Sequence, residues 1–482
     1  MGNLSFFDLV MLVLYILVMV WVGFRAKNRI KTTDDYYLAG HSLGLVMIAA
    51  TVCASIIGGT PLLGRTGITY ETGMAGVLLA LPYLLGMYIF SLFSARIHQV
   101  GDKYRISTLP ELFEYRFGPR IKLIAACLVT FSMGATVAAA IKAFATVITV
   151  FFGVSSVVAA SWIGVAVIVF YTMTSGLFGV VYTDLIQCVV LLGTMYILLP
   201  AMGVIKGGGI GAVFSRVPKE LLEIHLTPDI TNAMFTNLFF TMAGAEMWQR
   251  AFAAKDRRTA KRGMYLGNTL YALTILSTLL LAFSALVLFP DADTAYPGIG
   301  ADAVVPVMAM RLLPTGLLGL GVAGIIAAIM SSADTYLLIS AQTLTSDILR
   351  PALKLRPEQE LRISRLCVLV LGVLALVISL YIDGLYNTLM FAWTFYAAAM
   401  GFPAIAALYW KRATAPGVCA GMVSGFVVSL GWKFLGNPGG ISESVAGIVI
   451  SVILTVSVSL LTCKRHPTAF CEVDLSGESA SL

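Results

Sequence analysis

The chain has 482 residues, of which 59% are apolar and only 12% carry charge, and its mean hydropathy is +0.90. A water-soluble fold with so few charges could not cover its own surface, which excludes soluble enzymes, nucleic-acid binders, secreted disulfide frameworks and disordered chains. What remains is a polytopic membrane protein, and the formal net charge of +7 is read through its topology.

Apolar stretches long enough to cross roughly 30 Å of hydrocarbon fall near 7–25, 44–64, 73–97, 121–152, 156–174, 176–204, 232–248, 264–289, 315–345, 362–383, 386–410, 415–436 and 442–463. They predict an all-α membrane protein of about 13 transmembrane helices, one integral unit over 1–482. Inside lipid each segment must satisfy its own backbone N–H groups, which is why the spans are read as helices. The first stretch has no cleavage-site pattern and is too long for a signal h-region, so it is kept as a span.

Most of the 32 lysines and arginines lie after spans 1, 3, 7, 9 and 11 and in the tail. The other side holds few, among them Lys206, Arg216 and Lys219, and its 290–303 loop is acidic. The basic side is expected to be cytoplasmic, with the N-terminus outside and the C-terminus inside a plasma membrane of the bacterial inner-membrane type. The longest connection, about 205–231, and the short polar tail, 464–482, hold no room for a nucleotide- or DNA-binding module, and no P-loop motif occurs. The seven cysteines are scattered without CxxC spacing and the four histidines do not cluster, so neither a disulfide frame nor a metal site is indicated.

Span 2 reads IAATVCASIIGGTPLLG, with Ala54, Ser55, Gly58, Gly59, Thr60 and Pro61 at its centre. Glycine and proline release backbone groups that a regular helix would use internally. Such a break fits a cavity lining, and a glycine-lined packing face fits the same residues. Span 7, NAMFTNLFFTMAGAEMWQR, is short and carries Gly244 near its end. Five spans separate the two, so they cross in opposite directions. Interrupted helices at matching places of two inverted halves point to the binding site of a secondary transporter. The halves would be spans 2–6 (44–204) and 7–11 (232–410), with span 1 and spans 12 and 13 added.

Span 9 places Ser331, Ser332, Asp334 and Thr335 about halfway across, opposite Ala54 and Ile57 of span 2. Hydroxyls and free carbonyls without paired carboxylates suit Na+ better than Ca2+. Ser and Thr are also common glue between membrane helices, whereas an acid at the depth of Asp334 or Asp184 is costly and points to function. Glu246 and Arg250, spaced i,i+4, are expected to form a surface or gate ion pair. Arg65 is expected to face the outer vestibule, and Lys142 to snorkel outward.

Four segments, CASIIGGTPLLG (53–64), STLPELFEYRFG (107–118), SGLFGVVYTDLIQ (175–187) and AAIMSSADTYLL (327–338), with WQRAFAAKD (248–256) and YWKRATAPGVCAG (409–421), resemble the sodium/solute symporter family in order and over nearly the whole length. The resemblance implies a LeuT-type five-plus-five inverted repeat and Na+-coupled symport by alternating access. It implies a sodium site at the carbonyls of Ala54, Ile57 and Ala328 and the hydroxyls of Ser331 and Ser332. It leaves open a second ion site at Asp184, Asp334 and Thr335. The substrate positions it implies are Ile56, Thr60, Ala75, Phe240, Gly244 and Met390. Sugar-binding members have polar side chains at the equivalents of Ile56, Ala75, Gly244 and Met390, and choline-type members have tryptophans at those of Ile56 and Gly244. An amino acid or a monocarboxylate is therefore expected. Na+, a small-molecule substrate and membrane lipid are the expected partners, with no enzyme activity, nucleic acid or obligatory protein partner. Proton coupling on the same scaffold, and a transporter-like sensor or receptor, remain as alternatives.

Overall fold

The computed structural model describes residues 4–27, 38–465 and 468–472. Most of the predicted tail and part of the basic connection after span 1 lie outside the described residues. Apart from one isolated bridge between Leu43 and Ala254, the described residues are helices and their connections. Nine helices are long and apolar enough to cross a membrane among the described residues, or ten when Leu45–Ile57 and Gly59–Thr72 count as one bent span.

In chain order the helices used below are α1 (Phe6–Lys27), α2 (Leu45–Ile57), α3 (Gly59–Thr72), α4 (Ala80–Tyr104), α5 (Pro119–Phe152), α6 (Val157–Leu191), α7 (Leu199–Lys206), α8 (Pro228–Ala243), α9 (Ala245–Ala253), α10 (Arg257–Leu288), α11 (Leu317–Gln342), α12 (Pro357–Tyr381), α13 (Leu385–Tyr409), α14 (Ala415–Phe434) and α15 (Glu443–Thr462). Their starts are written in the sequence. Ser156, Thr227, Asp256 and Thr414 each accept a hydrogen bond from a first-turn N–H, satisfying one donor that the helix cannot. Thr108 does the same for a short helix, Leu109–Phe117, while Glu111 accepts from Ser107 N at 2.7 Å. That reciprocal cap explains the STLPE segment, though the sequence reading did not mark a helix there.

The radial distribution is inverted relative to a soluble protein. The middle of the molecule, along α5, α11 and α13, is buried and rich in Ser and Thr. The outer face of α12 exposes Leu369, Val370, Val373, Leu374, Val377 and Leu380. An apolar belt of that kind would be a liability in water and is the ordinary surface in lipid. At the rim, Gly417, Gly421 and Gly425 of α14 fit against α15 and α13. A Cβ on Gly421 would lie 1.8 Å from Thr455 Oγ1, and one on Gly425 would lie 2.3 Å from Ala398 O. Such small-residue contacts are how membrane helices approach closely.

The separate spans predicted at 156–174 and 176–204 are joined in one run of helical hydrogen bonding, α6. Tyr171 Oη nevertheless lies 3.4 Å from Thr183 Oγ1, twelve residues on. Those residues would be about 18 Å apart on a straight rod, so the run must bend sharply between them. Its apolar pieces are Val157–Met173 and Val180–Lys206.

At one end of the bundle Asp8 of α1 accepts from the N–H groups of Gly316 (2.7 Å) and Gly319 (2.9 Å), capping α11 from another helix. At the other end residues 468–472 return to the body. Phe470 lies under the guanidinium groups of Arg96 and Arg116, and Arg96 Nη2 donates to Cys471 O.

Candidate functional site

Two helix breaks define the centre. The first is Gly58, with φ −47° and ψ 168°, between α2 and α3, where the axis turns by 43°. The second is Gly244, with φ −55° and ψ 103°, between α8 and α9. Neither glycine is in the left-handed region; at Gly58 backbone oxygens and a hydroxyl crowd the place of a side chain, whereas at Gly244 the near atoms belong to the end of the Glu246 side chain. A Cβ on Gly58 would lie 2.1 Å from Ser332 Oγ, 3.1 Å from Ala328 O and 3.4 Å from Ala54 O. A Cβ on Gly244 would lie 2.8 Å from Glu246 Oε1.

Three oxygens of the predicted sodium site thus converge beside Gly58. Ser332 Oγ also donates to Ala328 O at 3.1 Å, a back-bond along its own helix. The remaining two predicted ligands are engaged elsewhere. Ile57 O accepts from Tyr196 Oη at 3.0 Å, and the Ser331 hydroxyl donates to Asp184 Oδ1.

Asp184, fully buried on α6, also accepts from Thr51 Oγ1 at 2.5 Å. The predicted second group therefore separates. Asp334 Oδ1 accepts from Thr172 Oγ1 at 2.5 Å, and its Oδ2 has no hydrogen-bond partner among the described residues. Thr335 Oγ1 accepts from Arg250 Nη2 at 3.1 Å. Neighbouring positions on a helix point about 100° apart, so Asp334 and Thr335 cannot both face Asp184.

Arg250 corrects the expectation of a surface or gate ion pair with Glu246. It is fully buried and donates Nε to Thr51 Oγ1 (3.2 Å), Nη1 to Glu246 O (3.0 Å) and Nη2 to Ser55 Oγ (2.6 Å) as well as to Thr335. It reaches the backbone carbonyl of Glu246, whereas both carboxylate oxygens of that residue lack a hydrogen-bond partner among the described residues.

The predicted substrate positions divide among three places. Ile56 and Thr60 line a central cavity of about 10 Å³ with Ser55, Arg65, Tyr83 and Trp393, room for about one water. Met390 lines a separate vestibule of about 800 Å³ that also touches Ile68, Asp229 and Tyr386. Phe240 stacks on Trp393 with centroids 4.1 Å apart, and Tyr83 stacks on the same indole at 5.8 Å. Ala75 and Gly244 are buried outside both linings. The aromatic cluster centred on Trp393 was not marked from sequence; its signal is a tryptophan in a span otherwise rich in alanine. Arg65 reaches the central cavity rather than the vestibule, and Lys142 sits within electrostatic reach of Asp302 and Asp383.

Outside the spans, burial pushes the Asp302 carboxyl up to about 6, although Leu385 N donates to Oδ2 at 2.8 Å. The hydrogen bonds from Thr259 hold the Asp256 carboxyl below the usual range.

A solved structure of a Na+-coupled sialic acid symporter, in a substrate-bound outward-open state, superposes with a TM-score of 0.79 at 20% identity, covering 97% of this chain and all of that one. The sodium/proline symporter of Escherichia coli (strain K12) is 26% identical over 433 residues, 86% of each chain. The osmoregulated proline transporter OpuE of Bacillus subtilis (strain 168) is 24% identical over 427 residues, again 86% of each. The model of the sodium:solute symporter family matches residues 36–425. The chain is a multi-pass membrane protein, a transporter and not an enzyme, and it belongs to the sodium:solute symporter family.

Proposed function

We propose that this chain imports a small, partly apolar solute of the amino acid or monocarboxylate class together with Na+, which binds between α2–α3 and α11. The observation that carries this reading is the convergence of Ser332 Oγ, Ala328 O and Ala54 O beside Gly58. Uncharged oxygens from a broken helix and a facing hydroxyl suit a hard monovalent cation. Ile57 O and Ser331 Oγ complete the set by exchanging their present partners for the ion. The proline-transporting relatives favour the amino acid arm.

Thirteen crossings and two inverted halves, 44–204 and 232–410, fit the same reading. Support comes from the ten apolar spans, the shorter apolar helices Phe6–Met19 and Val157–Met173, and the α8–α9 pair broken at Gly244. Asp8 beside Gly316 supports parallel starts for spans 1 and 9, as two odd-numbered crossings require. In the proposed cycle, Na+ enters from outside through the vestibule and organises the Gly58 break. The bundle of spans 2, 3, 7 and 8 then rocks against the rest. The membrane potential contributes about 2.3 kcal/mol per charge per 100 mV.

Proton coupling is the second reading, and it is favoured by Asp334 Oδ2, which has no hydrogen-bond partner among the described residues. Replacing Na+ by choline at fixed pH separates the two, since a proton-coupled carrier keeps working. For the sodium reading, Ser332→Ala in proteoliposomes is expected to raise the half-saturating Na+ concentration at least about tenfold, a loss of about 1.4 kcal/mol. Unchanged sodium dependence in that variant overturns the assignment.

A further inference from the structure

We propose that Arg65 is the anchor for a carboxylate on the transported solute. The inference rests on the symporter reading above and names the group by which that site recognises its cargo.

The other arginines at or near the core spend their donors on the protein. Arg116 donates to the carbonyls of Ala406, Ala407, Trp410 and Ala469. Arg96 donates to Leu408 O and Cys471 O, and Arg250 has the four acceptors given above. Arg65 is different. Among the described residues its guanidinium has neither a hydrogen bond nor a carboxylate within ion-pair distance. It rests against two aromatic rings that touch each other edge-on, with Cζ 5.3 Å from the centroid of Tyr83 and 5.0 Å from that of Tyr271. Ring faces stabilise the cation while leaving the N–H groups at its edge unspent.

Its position is that of a recognition residue. Arg65 lines the central cavity with Ser55, Thr60 and Trp393, and it also lines a second small cavity with Thr69, Tyr271 and Thr274. It lies two turns beyond Gly58 on α3, about 10 Å along the axis, so an anion there stays close to the sodium site. A partly buried cation without an anion is costly in a low-dielectric interior, and the solute would supply the missing charge. The guanidinium edge matches a carboxylate bidentately. Arg250 already spends its donors on the protein, so Arg65 is the cation at this cavity left to meet a carboxylate. The remaining walls, Ile56, Trp393 and hydroxyls, suit an apolar or weakly polar body. The solute needs more room than the cavity has here, so it must displace the walls as it enters.

The test uses the full chain in proteoliposomes with an inward Na+ gradient. Labelled L-proline, L-lactate, propionate, glucose, uracil and choline are the probes, and the amides of the three acids are the competitors. The wild type is expected to accumulate at least one acid, and the matching amide is expected to compete at least about tenfold less well. Proline uptake alone assigns the carboxylate to an amino acid, and lactate or propionate uptake to a monocarboxylate; either supports the proposal. Arg65→Lys keeps the charge and loses the fork, and is expected to raise KM about tenfold; Arg65→Gln raises it about a hundredfold or more. Na+-induced quenching of tryptophan fluorescence, measured without solute, reports the ion site and the fold separately and is expected to persist in both variants. An unchanged KM in Arg65→Gln overturns the proposal, as does an amide that competes as well as its acid. So does a wild type that accumulates only glucose, uracil or choline. Loss of the Na+ response in the wild type instead overturns the symport reading, whatever Arg65 does.

Discussion

Arg250 and Asp184 are joined through one hydroxyl: Thr51 Oγ1 donates to Asp184 Oδ2 at 2.5 Å and accepts from Arg250 Nε at 3.2 Å. The bridge ties α9 and α6 to α2, and the contacts of Arg250 with Ser55 and Thr335 extend it to α11. Ser331, a proposed sodium ligand, hangs on the same carboxylate. Charge and hydroxyls at the proposed ion site therefore form one network, and removing one member leaves the others unpaired.

Arg250→Ala leaves Asp184 and the polar groups of three helices without their cation. We expect a loss of about 3–5 kcal/mol, read as a lower melting temperature in detergent. Arg250→Lys, which keeps the charge but cannot span all four acceptors, should fall between the two. A melting temperature for Arg250→Ala within error of the wild type would contradict the network.

Asp184→Asn removes the charge facing Ser331 and Thr51. Sodium affinity is expected to fall, because the charge that attracts and orients the ion's hydroxyl ligand is gone. Sodium-concentration curves of uptake provide the check, and an unshifted curve would place Asp184 outside the coupling machinery.

Gly58→Ala needs no forbidden backbone angle, because φ is −47°. Its Cβ falls instead among Ser332 Oγ, Ala328 O and Ala54 O. Sodium-driven uptake should be abolished while the protein still reaches the membrane. Wild-type uptake by this variant would show that these oxygens do not hold the ion.

Asp8→Ala strips the cap from the start of α11 and is expected to cost about 1 kcal/mol, within the range of about 0.5–2 for such caps. Asp8→Asn, which keeps an acceptor oxygen, should recover part of that. Melting curves of the two variants in one detergent decide it.

The Asp302 carboxyl, pushed up to about 6 from the ordinary 3.8, makes stability depend on pH. The folded state holds the proton more tightly than the unfolded chain, so this stabilisation is complete below pH 3.8 and is lost as pH rises through about 6. Asp302→Asn keeps the acceptor for Leu385 N–H and should flatten that stretch of the melting curve. A parallel slope in the variant would assign the dependence to another group.

Much of this was legible in the sequence because it is local. The break at Gly58 is written by glycine and proline within a few residues, that at Gly244 by its glycine alone, and the spans by runs of apolar side chains. Arg250 was misread for the opposite reason. Its nearest charge in sequence, Glu246, suggested a surface or gate i,i+4 pair, whereas its acceptors Thr51 and Ser55 lie almost two hundred residues away. Likewise Asp334 found Thr172, which no spacing announces. The sharp bend in α6 carries no proline between Tyr171 and Thr183, so the chain reads there as two spans while its helical hydrogen bonding runs through.

The row of leucines and valines along α12 carries a practical consequence. Where the outer surface is hydrocarbon, the surrounding amphiphile is a binding partner of the native state, and its affinity enters every unfolding free energy. A melting temperature for this transporter is a property of a protein–detergent pair, so variants are ranked only within one detergent at one concentration.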